Sequence, residues 1–342
     1  TRKLFKVCAM RDIPIFTFIN KLDREARDPF DLLDELEKEF GIGTYPMNWP
    51  IGTDGDFKGI YNRRKRCVEL FEGGNHGQSQ VGIVEGDVDD PALAELLGDY
   101  YHDRLAEEIT LLDMAGEELD EERVRKGQLT PVFFGSAMTN FGVETFLNAF
   151  INMAPCPQPQ MAGEEIIDPE KNAFTGFVFK IQANMNPAHR DRLAFLRICS
   201  GEFEKGMEAW HTRLGRKIRL SQPTQFMAQE RTIIDNAYAG DIIGVFDPGI
   251  FAIGDTICEK GKRVRFEGIP TFAPEHFAFV EQIDSMKRKQ FAKGMNQIAQ
   301  EGAIQIFFEP NSGLERVIVG VVGVLQFEVL EHRLKNEYGC DL

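Results

Sequence analysis

The sequence predicts three fold classes in succession: an α/β segment over residues 1–160, an antiparallel β-barrel over residues 161–268 and an α+β segment over residues 269–342. Three observations carry this reading. Two short apolar runs, residues 13–19 and 130–134, each stop at a polar or small-residue turn and lead into a helical pattern, as parallel strands do. From Phe174 the period shortens to that of strands, with glycine-rich turns and hardly any helical spacing. From about residue 278 the order becomes strand, helix, strand, strand, helix, a split βαβ arrangement lacking its last strand. The length of 342 residues suits about two domains, or three small ones.

Taken in order, Leu4, Phe5, Val7, Cys8 and Met10 have the spacing of a helix begun upstream, so the chain is expected to open inside an element. Residues 13–19 then read as a buried parallel strand ending at Asn20. Asp28 stands where an N-cap belongs and Pro29 at the first helical position, and Phe30, Leu33, Leu36, Glu37 and Phe40 continue at helical spacing to Gly41. Residues 44–86 hold short β-like runs, at 57–61 and 67–71, separated by turn clusters such as Gly73-Gly74-Asn75-His76-Gly77. Residues 91–118 form an acidic helical pattern. Residues 130–137 make a second buried strand and small-residue turn, and Val143, Phe146, Leu147 and Phe150 supply the core face of the next helix. The run Ala154-Pro155-Cys156-Pro157-Gln158-Pro159-Gln160 is a stiff linker and the first boundary. Barrel strands are expected at 174–181, 193–199 and 242–246, with turns at Gly201, Gly206, Gly240 and Gly254. The last segment reads as strand 278–283, helix 287–300, strands 303–308 and 316–322 and helix 324–338, so the chain is expected to stop one element early.

Composition narrows the class. With 43% hydrophobic and 27% charged residues, each domain can bury a core. No apolar run approaches the ~18 residues of a membrane span, and residues 1–6 lack the apolar core of a signal peptide. A cytoplasmic protein with no membrane partner is the expectation. The six cysteines are scattered, with no C-x-x-C pair and no histidine to complete a zinc site, so reduced thiols and no metal site are expected. The net charge of −15 lies wholly in residues 1–172, which carry 33 acidic against 18 basic side chains. The remainder is nearly neutral and would meet RNA without opposing its phosphates.

The chemistry concentrates at two turns. Asn20-Lys21-Leu22-Asp23 directly follows the first strand and precedes a helix, where α/β sheets bind nucleotides. Ser136-Ala137 ends the second strand in the same domain. In order and context the pair matches the guanine-recognition turns of GTP-binding proteins, which makes the first segment the C-terminal part of an α/β P-loop GTPase-type domain. Asp23 would accept the N1–H and 2-amino hydrogens of guanine, Asn20 would address its O6/N7 edge, and the Ala137 N–H would donate to O6. The stem of Lys21 would cover the ring. Adenine lacks both hydrogens and would leave a carboxylate unpaired. The plainer alternative is a polar loop with an ordinary capping aspartate. No G-x-x-x-x-G-K-[ST] loop occurs, and Gly261-Lys262 is followed by Arg263. Asp56-Phe57-Lys58-Gly59 and Asp113-Met114-Ala115-Gly116 lie after Asn20 without a suitable strand and read as structural. The P-loop and switches are therefore expected before Thr1, and no catalytic residue is assigned in this chain. The basic cluster Asn62-Arg63-Arg64-Lys65-Arg66 reads as a solvated hairpin tip rather than an RNA contact, and Trp210 and His211 as packing residues. His189-Arg190-Asp191-Arg192 fits a contact loop or an exposed turn equally well.

The blocks Asn20-Lys21-Leu22-Asp23-Arg24, Arg27-Asp28-Pro29, residues 174–185, His189-Arg190-Asp191-Arg192, Gly254-Asp255-Thr256 and Val321-Val322-Gly323-Val324-Leu325-Gln326-Phe327 together resemble the bacterial peptide chain release factor 3 family over essentially the whole chain. The resemblance implies a translational GTPase that acts on the ribosome and promotes departure of class I release factors after peptide release. It implies a G domain with an inserted subdomain, a translation-factor barrel and a truncated ferredoxin-like third domain. Implied partners are ribosomal RNA and proteins and the class I release factors, with no DNA. GTP or GDP with Mg2+ belongs to the intact protein, and neither is expected to bind this segment tightly. What transfers residue by residue is base recognition at Asn20, Lys21, Asp23, Ser136 and Ala137. Two alternatives stay open: a nucleotide-independent ribosome-binding or adaptor module with a partial G domain, and an elongation factor G-like translocation GTPase.

Overall fold

In the computed structural model, residues 2–52, 57–70, 82–184, 192–227, 230–259, 261, 263–308 and 316–342 are described. The chain divides into two compact units, Thr1–Pro155 and Cys156–Leu342. The first opens with helix α1 (Arg2–Ala9) and a short strand β1 (Thr17–Ile19). Helix α2 (Pro29–Phe40) begins where the sequence places it. The Asp28 carboxylate accepts the Phe30 N–H, Pro29 sits in the first turn, and Gly41 closes the helix at φ 66°, where a side chain would be strained. Strand β2 (Gly43–Pro46) follows, then an antiparallel meander of β3 (Asn48–Ile51), β4 (Gly59–Asn62), β5 (Cys67–Leu70) and β6 (Gly82–Glu85). Helices α3 (Pro91–Leu97), α4 (Asp99–Ala115) and α5 (Glu121–Arg125) lead to strand β7 (Leu129–Phe134) and helix α6 (Val143–Met153).

β7 is the centre of a parallel sheet ordered β1-β7-β2 and is buried along all six residues. Its side chains alternate between two cores. Val132 and Phe134 join Leu22, Trp49, Ile60 and Leu105, while Leu129 and Phe133 join Met47, Met153 and Phe146.

Three expectations change here. The first strand is shorter than residues 13–19 and only half-buried, because Pro14 has no N–H for a ladder and, among the described residues, β1 pairs with β7 alone. The core face of α6 is Phe146, Ala149 and Met153, so Leu147 and Phe150 are largely exposed. Residues 43–46, read among generic β-like runs, are a strand of the central sheet. The basic hairpin tip is partly enclosed: Arg63 lies over the Tyr45 ring and donates to Asp113 at 2.5 Å, and Arg66 pairs with Asp87. Asp113 is thereby engaged structurally, as expected.

The second unit begins with a ribbon of β8 (Gln160–Ala162) and β9 (Glu165–Ile167). Strands β10 (Thr175–Ala183), β11 (Arg192–Ser200), β12 (Glu202–Glu204), β13 (Glu208–His211), β14 (Arg216–Arg219), β15 (Thr224–Met227), β16 (Glu230–Ile233), β17 (Asn236–Tyr238), β18 (Ile242–Phe246) and β19 (Thr256–Cys258) follow. Eight of them form one antiparallel sheet, ordered β14-β13-β19-β10-β11-β18-β15-β16, around Val178, Leu196, Ile198, Val245 and Ile257. His211 is fully buried against Phe251, with Nε2 3.1 Å from Asp255, so it and half-buried Trp210 pack as expected. Strand β20 (His276–Glu281), helix α7 (Arg288–Gln300), strands β21 (Gln305–Phe307) and β22 (Arg316–Val321) and helix α8 (Leu325–Tyr338) complete the unit. The sheet order is β20-β22-β21, with β22 antiparallel to both neighbours.

A polar network ties the two parts of this unit. Glu301 accepts the Ala183 N–H at 3.0 Å and both Arg333 amino groups, at 2.6 and 3.2 Å, while Arg333 also bonds Glu337. Arg192 bridges Asp247 at 2.6 Å and Gln300 at 2.5 Å. Residues 73–77, Asp56, Met185, 189–191 and Lys262, singled out from the sequence, lie outside the described residues.

Candidate functional site

The two turns named from the sequence meet at the ends of β1 and β7. Because these strands are parallel and adjacent, with Ile19 opposite Phe134, their following loops emerge side by side. The Gly135 N–H donates to the Ile19 carbonyl at 3.1 Å and the Leu22 N–H to the Gly135 carbonyl at 3.2 Å. Gly135 has no room for a side chain, since a Cβ would lie 2.4 Å from the Phe141 carbonyl.

The polar side chains complete the join. Asn20 Oδ1 accepts the N–H of Lys21 and, across the sequence, that of Ala137, both at 2.8 Å. Ser136 Oγ donates to Asp23 Oδ1 at 2.6 Å, a short bond of the charge-assisted kind. Ser136 is completely buried, and it is fixed by backbone bonds exchanged with Phe141 at 2.9 and 3.0 Å. The Asp23 side chain keeps 18% exposure, with Arg24 Nε 3.9 Å from its other oxygen. Lys21 stands at φ 75°, which turns the chain so that Leu22 enters the core while Asn20 and Lys21 stay exposed. All five residues named from the sequence therefore belong to one ledge. Its open groups are the Asp23 carboxylate and the Asn20 Nδ2, which has no partner among the described residues. The Ala137 N–H, expected from the sequence to face the ligand, is donated to Asn20.

Sequence reasoning missed Asn48. It is fully buried, and its amide exchanges two bonds with the Phe134 backbone, at 2.7 and 3.1 Å, holding the end of β7 from which Ser136 and Ala137 project. The signal was an amide between Met47 and Trp49 in a buried run. Among the described residues no group of three or more His, Cys, Asp or Glu is arranged to hold a metal ion.

Residues 1–156 match the family model described as the Elongation factor Tu GTP binding domain, which contains both turns. Residues 173–260 match Elongation factor G domain 2, and residues 266–342 match the Class II release factor RF3 C-terminal domain. Peptide chain release factor 3 of Symbiobacterium thermophilum is 58% identical over 342 residues, covering 100% of this chain and 65% of the relative. The chain is homologous to bacterial peptide chain release factor 3 from end to end. The release factor 3 of Gloeobacter violaceus is 52% identical over 338 residues, 99% of this chain and 64% of the relative, and that of a Cyanothece strain 50% identical over 341 residues, 100% and 63%. The chain thus spans a little under two thirds of the length of these release factor 3 relatives. The crystal structure of ttk003000868 from Thermus thermophilus superposes with a TM-score of 0.71 at 20% identity, covering 100% of this chain and 50% of that one. The chain carries the multidomain translational-GTPase fold, with its large antiparallel sheet curled. No helix among the described residues is long and apolar enough to cross a membrane.

Proposed function

We propose that this chain is the base-recognising part of a GTPase that acts on the ribosome in translation termination, promoting departure of class I release factors once the peptide is freed. The observation that carries it is the ledge itself: Asn20 and Asp23 are held to the Ser136–Ala137 turn by two side-chain bonds within a segment matching a GTP-binding domain. The Asp23 carboxylate, acceptor-only when ionised, suits the two donors on the lower edge of guanine. Asn20 Nδ2 suits N7, and the Ala137 N–H would be shared between Asn20 Oδ1 and O6. Lys21, raised at the ledge by its left-handed backbone, would lay its methylene stem over the ring. Adenine would leave the carboxylate without its partners, at a cost of about 1–3 kcal/mol or more.

The domain assignment follows: a GTP-binding domain with an inserted meander over 1–160, a barrel over 161–268 and a ferredoxin-like third domain over 269–342, for which the β20-β22-β21 order is the support. When bound, GTP would supply the β–γ phosphoanhydride bond whose hydrolysis to GDP and phosphate would change the ribosome contacts. No described residue is assigned to magnesium or to the hydrolytic step, and this chain contributes the choice of base. The cytoplasm and the ribosomal partners rest on the release factor 3 homology.

The test uses a protein of the relatives' full length carrying this sequence, added to ribosomes bearing a labelled class I release factor. Asp23→Asn places an NH2 donor opposite the guanine amino group but opposite a carbonyl in xanthine. The variant should release the factor with XTP and lose release with GTP. Release with GTP alone, unchanged from wild type, would remove the proposal.

A further inference from the structure

The cationic run on the β4–β5 hairpin is divided by its surroundings. Arg63 and Arg66, at its ends, are neutralised by Asp113 and Asp87. Arg64 and Lys65, between them, are exposed, and neither side chain meets a carboxylate among the described residues. Both line a cavity of about 380 Å3, within the range of small-molecule sites. Met47, Phe133 and Ala149 form its apolar floor, and Asn148 and Asn152, one turn apart on α6, stand on its wall.

The remaining polar groups there are already occupied. Asn62 gives its Nδ2 to Glu69 at 2.9 Å and takes the Lys65 N–H at 3.0 Å, and Thr145 donates to the other Glu69 oxygen at 2.8 Å. The buried Glu69 carboxylate thus has both oxygens engaged beside the cavity. Asn152 spends its Nδ2 on the Asn148 carbonyl at 2.8 Å. What is left to a ligand is two adjacent cations, the Asn148 side-chain amide and an apolar floor. Two neighbouring positive charges match a dianion better than a single carboxylate, and a guanidinium presents paired donors to phosphate oxygens.

We propose that this cavity is a binding site for a phosphate monoester with a small apolar or aromatic body, separate from the guanine ledge and independent of that reading. Arg64 and Lys65 hold the phosphoryl oxygens, the Asn148 amide donates to one of them, and the body rests on Met47 and Phe133.

The test is calorimetric titration of the 342-residue chain with phenyl phosphate, inorganic phosphate and benzoate. Phenyl phosphate should bind more tightly than either of the others, since only it satisfies both halves of the site. Arg64→Ala with Lys65→Ala should weaken it by more than about tenfold, since the loss of even one of the two charge-assisted contacts is worth that much. Asn148→Leu should weaken it as well. Lys126→Ala, which removes an exposed cation that pairs with Glu122 and does not line the cavity, should leave the affinity unchanged. Both substituted cations are exposed, so the variant keeps its fold. Equal binding of benzoate and phenyl phosphate, or an affinity insensitive to Arg64 and Lys65, would overturn the proposal.

Discussion

Removing the Ser136 hydroxyl tests whether the two turns act as one object. Ser136→Ala deletes the 2.6 Å bond to Asp23 and the weak 3.4 Å contact from the Thr139 N–H. A hydrogen bond to a charged group contributes about 1.5–3 kcal/mol. The donor is completely buried, so no water replaces it from that side, but Asp23 at 18% exposure regains some hydration. The value should therefore sit low in the range, about 1.5 kcal/mol. A cycle of Ser136→Ala, Asp23→Ala and the double variant isolates this pairwise energy. Urea unfolding followed by Trp49 fluorescence in a Trp210→Phe background reports on the unit concerned, because Trp49 lies in its core and is fully buried. A coupling of about 1.5 kcal/mol is expected. Additivity within ~0.5 kcal/mol would show that the bond does not hold the turns together.

Arg333→Ala should destabilise the second unit by about 3 kcal/mol, since Glu301 is only 8% exposed and would keep its charge without its main partner; adding Glu301→Ala should recover part of the loss in urea unfolding, and an unchanged double variant would argue against this. Asp255 supplies a pH dependence. Burial opposes its ionisation, but Arg213, His211 and the Ala252 N–H outweigh burial and hold the carboxyl well below the usual range. A depressed native value stabilises fully above pH ~3.9, the ordinary aspartate value, and is lost as pH falls below it. Asp255→Asn should therefore be less stable than wild type at pH 7, with the gap narrowing by pH ~2.5; equal gaps at both would contradict the assignment.

The legible parts of the fold were those written in local chemistry. Asp28-Pro29 and Gly41 bracket α2 because capping and φ are properties of single residues. That the two turns meet was legible because strand ends in a parallel sheet bring their loops together. Less legible was anything set by a distant neighbour. Tyr45 and Pro46 look like part of a generic β-like stretch until β7 pairs with them, and Leu147 and Phe150 look like core residues until the rotation of α6 is known. Asn48 could be noticed as a buried amide, but its partner is 86 residues away. The bond between Ala137 and Asn20 belongs to the same class, for no local pattern shows which acceptor a turn N–H will find.

The central claim is that this ledge reads guanine. Its most direct test is an NMR titration of the 342-residue chain with guanosine, adenosine and xanthosine, following the backbone amide of Ala137 and the side-chain amide of Asn20, whose present bond at 2.8 Å makes both sensitive to a ligand. Guanosine should shift both signals in the wild type, with adenosine and xanthosine nearly silent. In Asp23→Asn the response should pass to xanthosine, with guanosine weakened by about 2–4 kcal/mol, some thirty- to a thousand-fold. A response that does not distinguish guanosine from adenosine, or a preference unmoved by Asp23→Asn, would contradict it.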